Sequence, residues 1–597
     1  MNQTQRHTFY EEQLALHSQQ ADVFKKKLHG LGTLRLVIFI LAFLSFFALN
    51  AEAFIWVLAL SLISFLSLVK LGVNVRYQRD KHRKSAELNR LEINALIGDW
   101  SGFKNGAEFI SSKHPFSSDM DVFGEGSFFQ LINRTVSLEG SNRLAEKLSG
   151  GSSTLELDHS AIEELKQHMA WNQGFCAEGL LSEPSDFRHD IRKVKNVEVS
   201  THVFAEFLRI GIPICSISMA ILFGMGVVNS ASFLMYASLV LVYIGSGLKQ
   251  TNLLAAELGS VANVTKIRRR QMDLVSSLTL NNVSFRTYID QRLIGEHSLE
   301  KALIALERLQ ERIDYRMNLP VGVLLNIFLA WDLQLIHQYK QWQKKYSQDF
   351  TEHLEMFAEL EVWVSGAIYK FNNPDSVFAT IQDECAPSIG DLKHPFVPEE
   401  SRQGNSLNFM DGHKFQIITG PNMAGKSTFL RSVGLAFISA NAGFPVLAST
   451  CQLPQRKLYS SMRTSDDLNA KSSYFHAELS RLKSIMDAMN SGEKVFVILD
   501  EILKGTNSID KEKGSALFLQ KMKRLGCMGL IATHDLSLCN LAKDDSDYFN
   551  QSFDSVISNN ELSFDYRLRD GVCQNMNATF LLTKMGLIDS ENLNLEN

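Results

Sequence analysis

Four almost uninterrupted apolar stretches dominate the hydrophobic pattern of the first 250 residues. Residues 36–49 and 53–69 form one pair, with three residues between them, and residues 211–228 and 231–248 form a second pair, with two residues between them. About 17–25 apolar residues are needed to cross the hydrocarbon core of a bilayer. The pattern therefore predicts two helical hairpins that span a membrane.

Basic residues flank both pairs. They are Lys25, Lys26, Lys27 and Arg35 before the first pair, Lys70, Arg76, Arg79, Lys81, Arg83 and Lys84 after it, Arg192, Lys193, Lys195 and Arg209 before the second, and Lys249 after it. By the positive-inside rule, both hairpin tips face outward and the rest of the chain lies in the cytoplasm. The expected location is the inner or plasma membrane, crossed several times. The first run is short, and it reaches spanning length only if it extends through Leu34 with Arg35 snorkelling to the interface.

The apolar runs also fit two alternative structures. They are compatible with buried helices of a large soluble core, although apolarity on all sides over 17 or more residues is uncommon in soluble helices. Lys25 to Lys27, the first run and the Ala51-Glu52-Ala53 sequence also mimic a secretory signal peptide. The long segment before that run, and the second run directly after it, favour a hairpin instead.

Composition changes this picture little. A chain of 597 residues with 45% hydrophobic and 21% charged residues is a folded, helix-rich protein of two to four domains. The net charge of −5 weakens the case for a nucleic-acid binder without excluding a local basic patch. Seven isolated cysteines without CxxC spacing indicate a reducing compartment and no zinc or disulfide framework.

A glycine-rich segment in the C-terminal part fits the pattern G-x-x-x-x-G-K-[ST]. An apolar strand at 415–418 precedes it and a helix at 428–440 follows it. Converging backbone N–H groups and the helix N-terminus suit phosphate oxygens, while Lys426 would reach the β- and γ-phosphates and Ser427 would bind Mg²⁺. The predicted nucleotide-binding residues here are Gly420, Pro421, Asn422, Met423, Ala424, Gly425, Lys426, Ser427 and Thr428.

Two later strands predict the rest of the site. The strand at 495–499 delivers Asp500 to the metal and places Glu501 where it would orient or deprotonate the attacking water. A strand ending in "ATHD" places His534 where it would sense the γ-phosphate, and a structural histidine is the alternative. These residues predict an ATPase with Lys426, Glu501 and His534 in catalytic roles, and ATP and Mg²⁺ as cofactors.

The motifs together resemble the MutS family. Residues 419–428 differ from its phosphate loop, TGPNMGGKST, only at Ala424, and "DEILKGTNSID" is similar to DEIGRGTST-x-D. "SDDLNAKSSYFHAEL" resembles the family segment ending in S-T-F-x-x-E, which puts Ser473 and Glu478 on matching positions, with Tyr474 in place of threonine. Weaker similarity covers 121–148, the entry at "DLKHPFV", the strand and turn "ELSFDYRLRDGV", and two segments, 312–326 and 355–374, expected in long lever helices.

The resemblance implies a multidomain fold. Residues 1–120 would hold an N-terminal helix, a transmembrane hairpin at about 34–70 and a charged linker helix; 121–390 a MutS-like α-helical core and lever domain with a hairpin inserted at about 210–248; and 391–597 an α/β P-loop (ABC-like) ATPase domain. It also implies a homodimer paired through the ATPase domains, in which Ser473 completes the partner's site in trans.

The hairpins stand where the family carries its DNA-contacting parts. The N-terminal hairpin leaves no room in residues 1–120 for a mismatch-reading module, and the second hairpin falls about where relatives insert a DNA clamp. We therefore expect a membrane-anchored, ATP-driven dimeric switch with lipid as a partner, and DNA contact open but unsupported. One alternative is a repair ATPase that binds mismatched or branched DNA, for which residues 266–270 offer a basic stretch. The other is an ABC-like transporter. Residues 148–151 resemble the transporter signature, but they lie far upstream of its usual position between the phosphate loop and the strand that ends at Asp500.

Overall fold

The computed structural model describes residues 2–574 and 587, apart from 152, 183–185, 200–202, 296, 411, 463–473, 505–506 and 559–560. The N-terminal part is helical. Its helices are α1 (Gln3–Ala48), α2 (Ala51–Leu96), α3 (Phe128–Ile132), α4 (Leu138–Leu148), α5 (Leu155–Lys166), α6 (Met169–Gly179), α7 (Phe187–Lys195), α8 (Val203–Gly224), α9 (Ser230–Ser246), α10 (Leu248–Ser260), α11 (Ala262–Ser277), α12 (Val283–Leu293), α13 (Leu299–Met317), α14 (Leu319–Leu329), α15 (Trp331–Tyr346) and α16 (Phe350–Asn372).

The first hairpin consists of two helices of 46 residues each, so the apolar runs are only the distal parts of much longer elements. At 1.5 Å per residue each helix is about 70 Å long. The Asn50 side chain caps α2 at the tip by accepting from the Ala53 N–H. Near the tip, large apolar side chains such as Phe47 and Trp56 are exposed, whereas Tyr10 near the other end is buried.

Arg35, for which snorkelling was expected, contacts the second helix of the hairpin. Its guanidinium turns inward between the helices, and Nη2 donates to the Leu68 carbonyl over 2.5 Å. It fits because residue 72 is glycine: a Cβ at Gly72 would collide with the Arg35 guanidinium. The arginine thus joins the two helices at the boundary of the apolar segment.

Three described helices are long and apolar enough to cross a membrane by length and composition: α1, α2 and the Phe204–Gly224 part of α8. The predicted fourth span is shorter than expected, because α9 has 17 residues and bends by 63° into α10. Leu254 and Leu258 on α10 are buried in the helical part. A second bent pair, α14 and α15 at 81°, was not predicted, and counting each bent pair as one span raises the number to five.

The segment 312–326 does not form one lever helix as expected. Helix α13 ends at Met317 and α14 starts at Leu319, with Pro320 in its first turn. Proline lacks the N–H that would continue the preceding helix. The segment 355–374, in contrast, is helical through Asn372 in α16, the most completely buried long helix of the helical part.

The C-terminal part alternates strands and helices. Its elements are β1 (Thr380–Gln382), β2 (Ser388–Leu392), β3 (Asn405–Asn408), β4 (Phe415–Thr419), α17 (Lys426–Asn441), β5 (Thr450–Pro454), β6 (Lys457–Ser461), α18 (Tyr474–Asn490), β7 (Val495–Asp500), α19 (Ser508–Arg524), β8 (Met528–Ala532), α20 (Leu541–Asp544), β9 (Tyr548–Phe553), β10 (Val556–Ser558), β11 (Glu561–Ser563) and β12 (Leu568–Asp570).

Its main sheet has the strand order β12-β9-β4-β8-β7-β6 and is parallel except for β12. Strands β4 and β8 are buried at every position, as expected of central parallel strands covered on both faces. A smaller sheet has the order β1-β5-β2-β3, and β10 and β11 form a hairpin. The carboxyl ends of β4, β7 and β8 meet at one edge of the main sheet, where ligands bind in open α/β sheets.

Candidate functional site

The turn between β4 and α17 has a backbone that its glycines make accessible. Gly420 and Gly425 have φ angles of 151° and 109°, and Met423 between them has a φ of 67°. A Cβ at Gly420 would lie 2.5 Å from the Phe553 carbonyl oxygen. The turn therefore fits tightly against β9 and leads directly into the N-terminus of α17, where free backbone N–H groups and the helix dipole favour an anion.

Lys426 is the first residue of α17 and lies beneath this turn. Its Nζ donates to the carbonyls of Gly420 over 2.7 Å and Pro421 over 2.8 Å, and lies 3.4 Å from Nε2 of His534. The residue is only 6% exposed. Burial lowers the pKa of Lys426, and the nearby carboxylates of Asp500 and Glu501 oppose that shift.

Ser427 and Asp500 meet where α17 and β7 approach each other. The Ser427 hydroxyl donates to Oδ2 of Asp500 over 2.6 Å. The side chains therefore place one hydroxyl and one carboxylate oxygen at the same point, directly beside the glycine-rich turn. Among the described residues, no three His, Cys, Asp or Glu side chains cluster closely enough to hold a metal ion by themselves. A hydroxyl and a single carboxylate fit Mg²⁺, which usually takes few protein ligands and completes its shell with phosphates and water.

Glu501 and His534 face each other across the ends of β7 and β8. Glu501 has a φ of 52°, and its N–H donates to the Ala532 carbonyl over 2.9 Å. Nε2 of His534 lies 3.5 Å from Oε1 of Glu501. Burial and the charge of Lys426 lower the pKa of His534, while Glu501 acts in the opposite direction. The histidine is therefore biased toward its neutral form.

These groups line one cleft of about 320 Å³. Its lining residues are Pro421, Asn422, Met423, Gly425, Lys426, Ser427, Thr428, Asp500, Glu501, Lys504, His534 and Tyr566. Two predicted members of the loop do not line it: Gly420 forms the base of the turn, and Ala424 is fully buried. Ser473 lies outside the described residues.

Tyr566 is a lining residue that the sequence interpretation did not single out. Its ring lies beside Gly425, where a Cβ would be 3.3 Å from Tyr566 Cδ1, and 48% of the residue is exposed. Its φ of 55° is held by Asn405, whose Nδ2 donates to the Tyr566 carbonyl over 2.9 Å. The available sequence signal was an aromatic within the segment "ELSFDYRLRDGV", which was interpreted only as a strand and turn.

Helix α18 connects this cleft to the helical part through two side chains. Oε1 of Glu478 accepts from the Leu503 N–H over 2.6 Å, two residues after Glu501. One turn later, Arg481 Nη2 donates over 2.8 Å to Asp119, a fully buried carboxylate that precedes α3. Ser460 and the Met462 N–H also donate to Asp119. One rigid helix therefore touches the loop that carries Glu501 and the start of the helical core.

The basic stretch at 266–270 is largely engaged within the protein. Arg268 is buried and donates to Glu361 over 3.0 Å. Arg269 pairs with Asp273, and the Arg270 guanidinium lies 3.6 Å from the ring centroid of Tyr77 on α2. These arginines hold the helical part together, which accounts for the basic stretch without an external phosphate.

The fold and the cleft define the type of domain. It is an α/β domain with a glycine-rich turn between a strand and a helix, and with acidic residues at the end of a neighbouring parallel strand. Residues 416–584 match the family model of MutS domain V. Through this C-terminal region, the chain is similar to the MutS family.

Curated relatives support the same assignment. The DNA mismatch repair protein MutS of Thermotoga neapolitana is 30% identical over 236 residues, which are 38% of this chain and 28% of that protein. The protein of the same name from Methanococcoides burtonii is 32% identical over 206 residues, covering 33% of this chain and 23% of that protein. The one from Halalkalibacterium halodurans is 25% identical over 336 residues, covering 54% of this chain and 38% of that protein. The matches thus span well under half of each relative.

Proposed function

We propose that this chain is a membrane-anchored ATPase of the MutS type, in which ATP binding and hydrolysis change the conformation of a dimer whose helical arms lie in a bilayer. The observation that carries the proposal is the convergence of Lys426, the Ser427–Asp500 pair and the Glu501–His534 pair on one cleft at the N-terminus of α17. The similarity to the MutS family agrees with an ATPase.

Binding would use the glycine-rich turn and the ends of the neighbouring strands. The backbone N–H groups of the turn and Lys426 hold the phosphates, and Ser427 and Asp500 hold Mg²⁺, which neutralises phosphate charge when bound. The exposed face of Tyr566 offers a surface on which the base stacks. Lys426 would exchange its hydrogen bonds to the Gly420 and Pro421 carbonyls for phosphate oxygens when ATP binds.

Hydrolysis would depend on Glu501 and His534. The strained backbone of Glu501, fixed by its hydrogen bond to Ala532, aims the carboxylate into the cleft beside the γ-phosphate position. Glu501 orients the attacking water and accepts its proton, and the neutral His534 contributes a hydrogen bond to the same region. Ser473 from a second copy completes the site in the homodimer.

Membrane anchoring rests on the exposed apolar helices. The distal parts of α1 and α2, and the hairpin of α8 and α9, expose large apolar side chains over lengths suited to a bilayer. Basic residues on both sides of each hairpin support a cytoplasmic location for the ATPase domain. Lipid is thus the proposed partner of both hairpins.

A DNA-repair role is the second candidate, and it is favoured by the names of the relatives, which are DNA mismatch repair proteins. The apparent affinity for DNA would then fall steeply with salt, because phosphate contacts release counterions. A titration at several salt concentrations, with homoduplex, mismatched and branched DNA, separates this candidate from a purely membrane-directed ATPase.

The test of the ATPase proposal is nucleotide turnover by purified full-length protein in lipid nanodiscs. Lys426→Ala and Glu501→Gln are each expected to lower turnover by about 100-fold or more, because each removes a group that acts on transition-state charge or on the attacking water. Lys457→Ala is the matched control, since that lysine is 68% exposed and pairs with Glu493 away from the cleft. Unchanged turnover in both site variants would refute the proposal.

A further inference from the structure

Helix α14 presents an apolar surface that the two predicted hairpins do not account for. Its sequence, LPVGVLLNIFL, contains one polar side chain, and only Gly322 and Asn326 are buried. The exposed large side chains are Leu319, Val321, Val323, Leu324 and Leu329, of which Leu319 is 77% exposed. An 11-residue helix with this surface is not expected to face water.

The neighbouring helix α15 fixes the orientation of α14. Gln334 Nε2 donates over 3.0 Å to the Arg209 carbonyl on α8, which lacks its usual helical donor because residue 213 is proline. One turn further along α15, His337 contacts Glu206, one turn earlier on α8. Helices α15 and α8 therefore run antiparallel where they meet, and α14 turns away from the α15 direction by 81°.

Contacts with the second hairpin set the depth of α14. The Ser216 hydroxyl on α8 donates to the Ile327 carbonyl over 2.6 Å, and the rings of Phe328 and Phe233 are 6.4 Å apart. Ser216 lies seven residues beyond Arg209, or about 10 Å further toward the hairpin tip at 1.5 Å per residue. Because Phe233 lies three residues into α9, near the hairpin tip, the two contacts place α14 beside the apolar part of the hairpin, beyond its polar base at Arg209.

The polar groups of this region turn toward the protein. Asn326 Nδ2 donates to Asp332, whose own N–H donates to Asn326 Oδ1 over 2.9 Å. Arg316 Nε contacts the same Asp332 carboxylate over 2.8 Å. With these groups directed inward, the outer surface of α14 is left apolar and continuous with that of α8, including Ile217.

We infer that α14 is an in-plane helix immersed in the acyl chains of the cytoplasmic leaflet, so that α8, α9 and α14 form one membrane unit. At about 16 Å, α14 is too short to cross the roughly 30 Å hydrocarbon core. It does not continue as a span, because α15 returns to the helical part, where Tyr339 and Trp342 are buried. The inference rests on the proposed membrane anchoring and adds a half-depth element to it.

The test places an environment-sensitive fluorophore at single cysteines in full-length protein reconstituted into phosphatidylcholine–phosphatidylglycerol vesicles. Cys215 and Cys385, which are not buried, are first replaced by serine, while the five buried cysteines remain. The probe sites are Leu324→Cys on α14, Ile217→Cys at the same depth on α8, and Val283→Cys on the 74% exposed start of α12 as the water control. Quenchers are iodide in the buffer and lipids with nitroxides near the headgroup or near the chain end.

The expected result is that the shallow nitroxide lipid quenches the fluorophores at Leu324→Cys and Ile217→Cys, whereas iodide does not. The fluorophore at Val283→Cys is expected to be quenched by iodide and not by the nitroxide lipid. Quenching of Leu324→Cys by iodide alone, with Ile217→Cys in lipid, would overturn the inference and leave the hairpin proposal standing. Quenching of both probes by iodide alone would also remove the second hairpin from the membrane. Protection of Leu324→Cys from both quenchers would replace lipid by a protein contact, such as a second copy, and would also overturn the inference.

Discussion

The contact between Arg481 and Asp119 is expected to hold the nucleotide-binding part against the helical core. Asp119 is fully buried and accepts from Arg481 over 2.8 Å, from the Ser460 hydroxyl over 2.7 Å and from the Met462 N–H over 3.1 Å. Asp119→Ala removes this acceptor and leaves the mostly buried Arg481 guanidinium without that carboxylate. Breaking such a pair from one side costs about 3–5 kcal/mol.

Substitution of the arginine is expected to lower the free energy of unfolding by less than substitution of the aspartate. In Arg481→Met, Asp119 keeps the Ser460 and Met462 donors, so the expected loss is about 1.5–3 kcal/mol, the range for a hydrogen bond to a charged group. Both substitutions remove the same interaction. The loss in free energy of unfolding in the double variant is therefore expected to be smaller than the sum of the two single losses by about 1–3 kcal/mol. Because α18 also carries Glu478, which holds the Leu503 N–H, loosening Arg481 should lower ATP turnover as well.

Thermal unfolding of full-length protein in detergent measures the first effect. A change of about 1 kcal/mol in the free energy of unfolding shifts the unfolding midpoint by about 2–4 °C in a domain of roughly 150–250 residues. Asp119→Ala should therefore lower the midpoint by about 6–20 °C. The control is Lys457→Met, whose exposed pair with Glu493 is worth about 0.5 kcal/mol or less. Strictly additive shifts in the double variant, or an Arg481→Met midpoint no lower than the control, would refute a buried coupled contact.

Two further predictions concern the phosphate turn and acid stability. Gly420→Ala should weaken binding of a fluorescent ATP analogue by about 100-fold, because the new Cβ would lie 2.5 Å from the Phe553 carbonyl oxygen and displace the turn. The control is Gly492→Ala, at a φ of 91° with open space around it, which should leave binding unchanged. Equal effects of the two substitutions would contradict the steric argument. Burial lowers the pKa of His159 from 6.5 to about 4, so its stabilising contribution is complete above pH 6.5 and lost as the pH falls toward 4. His159→Gln should therefore lose less thermal stability than the native protein between these pH values, and a constant offset across the range would contradict this.

The cleft around the glycine-rich turn has the most local sequence signals of any region. A strand, a glycine-rich turn and a helix follow one another within 26 residues, and parallel strand ends must meet at one sheet edge. Geometry that depends on distant segments was not accessible in this way. Tyr566 reaches the cleft through a turn held by Asn405, and Asp119 meets Arg481 from a position more than 360 residues away in sequence.

The pattern of polar and apolar residues also gave wrong expectations for some elements, because it does not show what each side chain contacts in the folded chain. The run at 231–248 continues to Leu248, one residue past the bend at Gly247, although Leu248 starts α10, whose later residues Leu254 and Leu258 are buried in the helical part. The apolar residues of α14 were assigned to a lever helix, since a helix break of one residue is hard to distinguish from a continuous helix. The arginines of 266–270 look like a phosphate-binding patch until Glu361, Asp273 and Tyr77 are brought beside them by folding.

The base of the first hairpin lies at the joint between the two parts of the chain. Arg6, which is 1% exposed, pairs with Glu399 at the entry to the C-terminal part, and the buried Tyr10 hydroxyl donates over 2.9 Å to Asn372 at the end of α16. Asn372 in turn donates to Glu92 on α2. A rotation of the C-terminal part relative to the hairpin would break the Arg6–Glu399 pair, whereas the contacts of Asn372 with Tyr10 and Glu92 join the hairpin to the helical part. The base of the hairpin is therefore tied to both parts of the chain, so a change in their relative position is expected to be transmitted to α1 and α2.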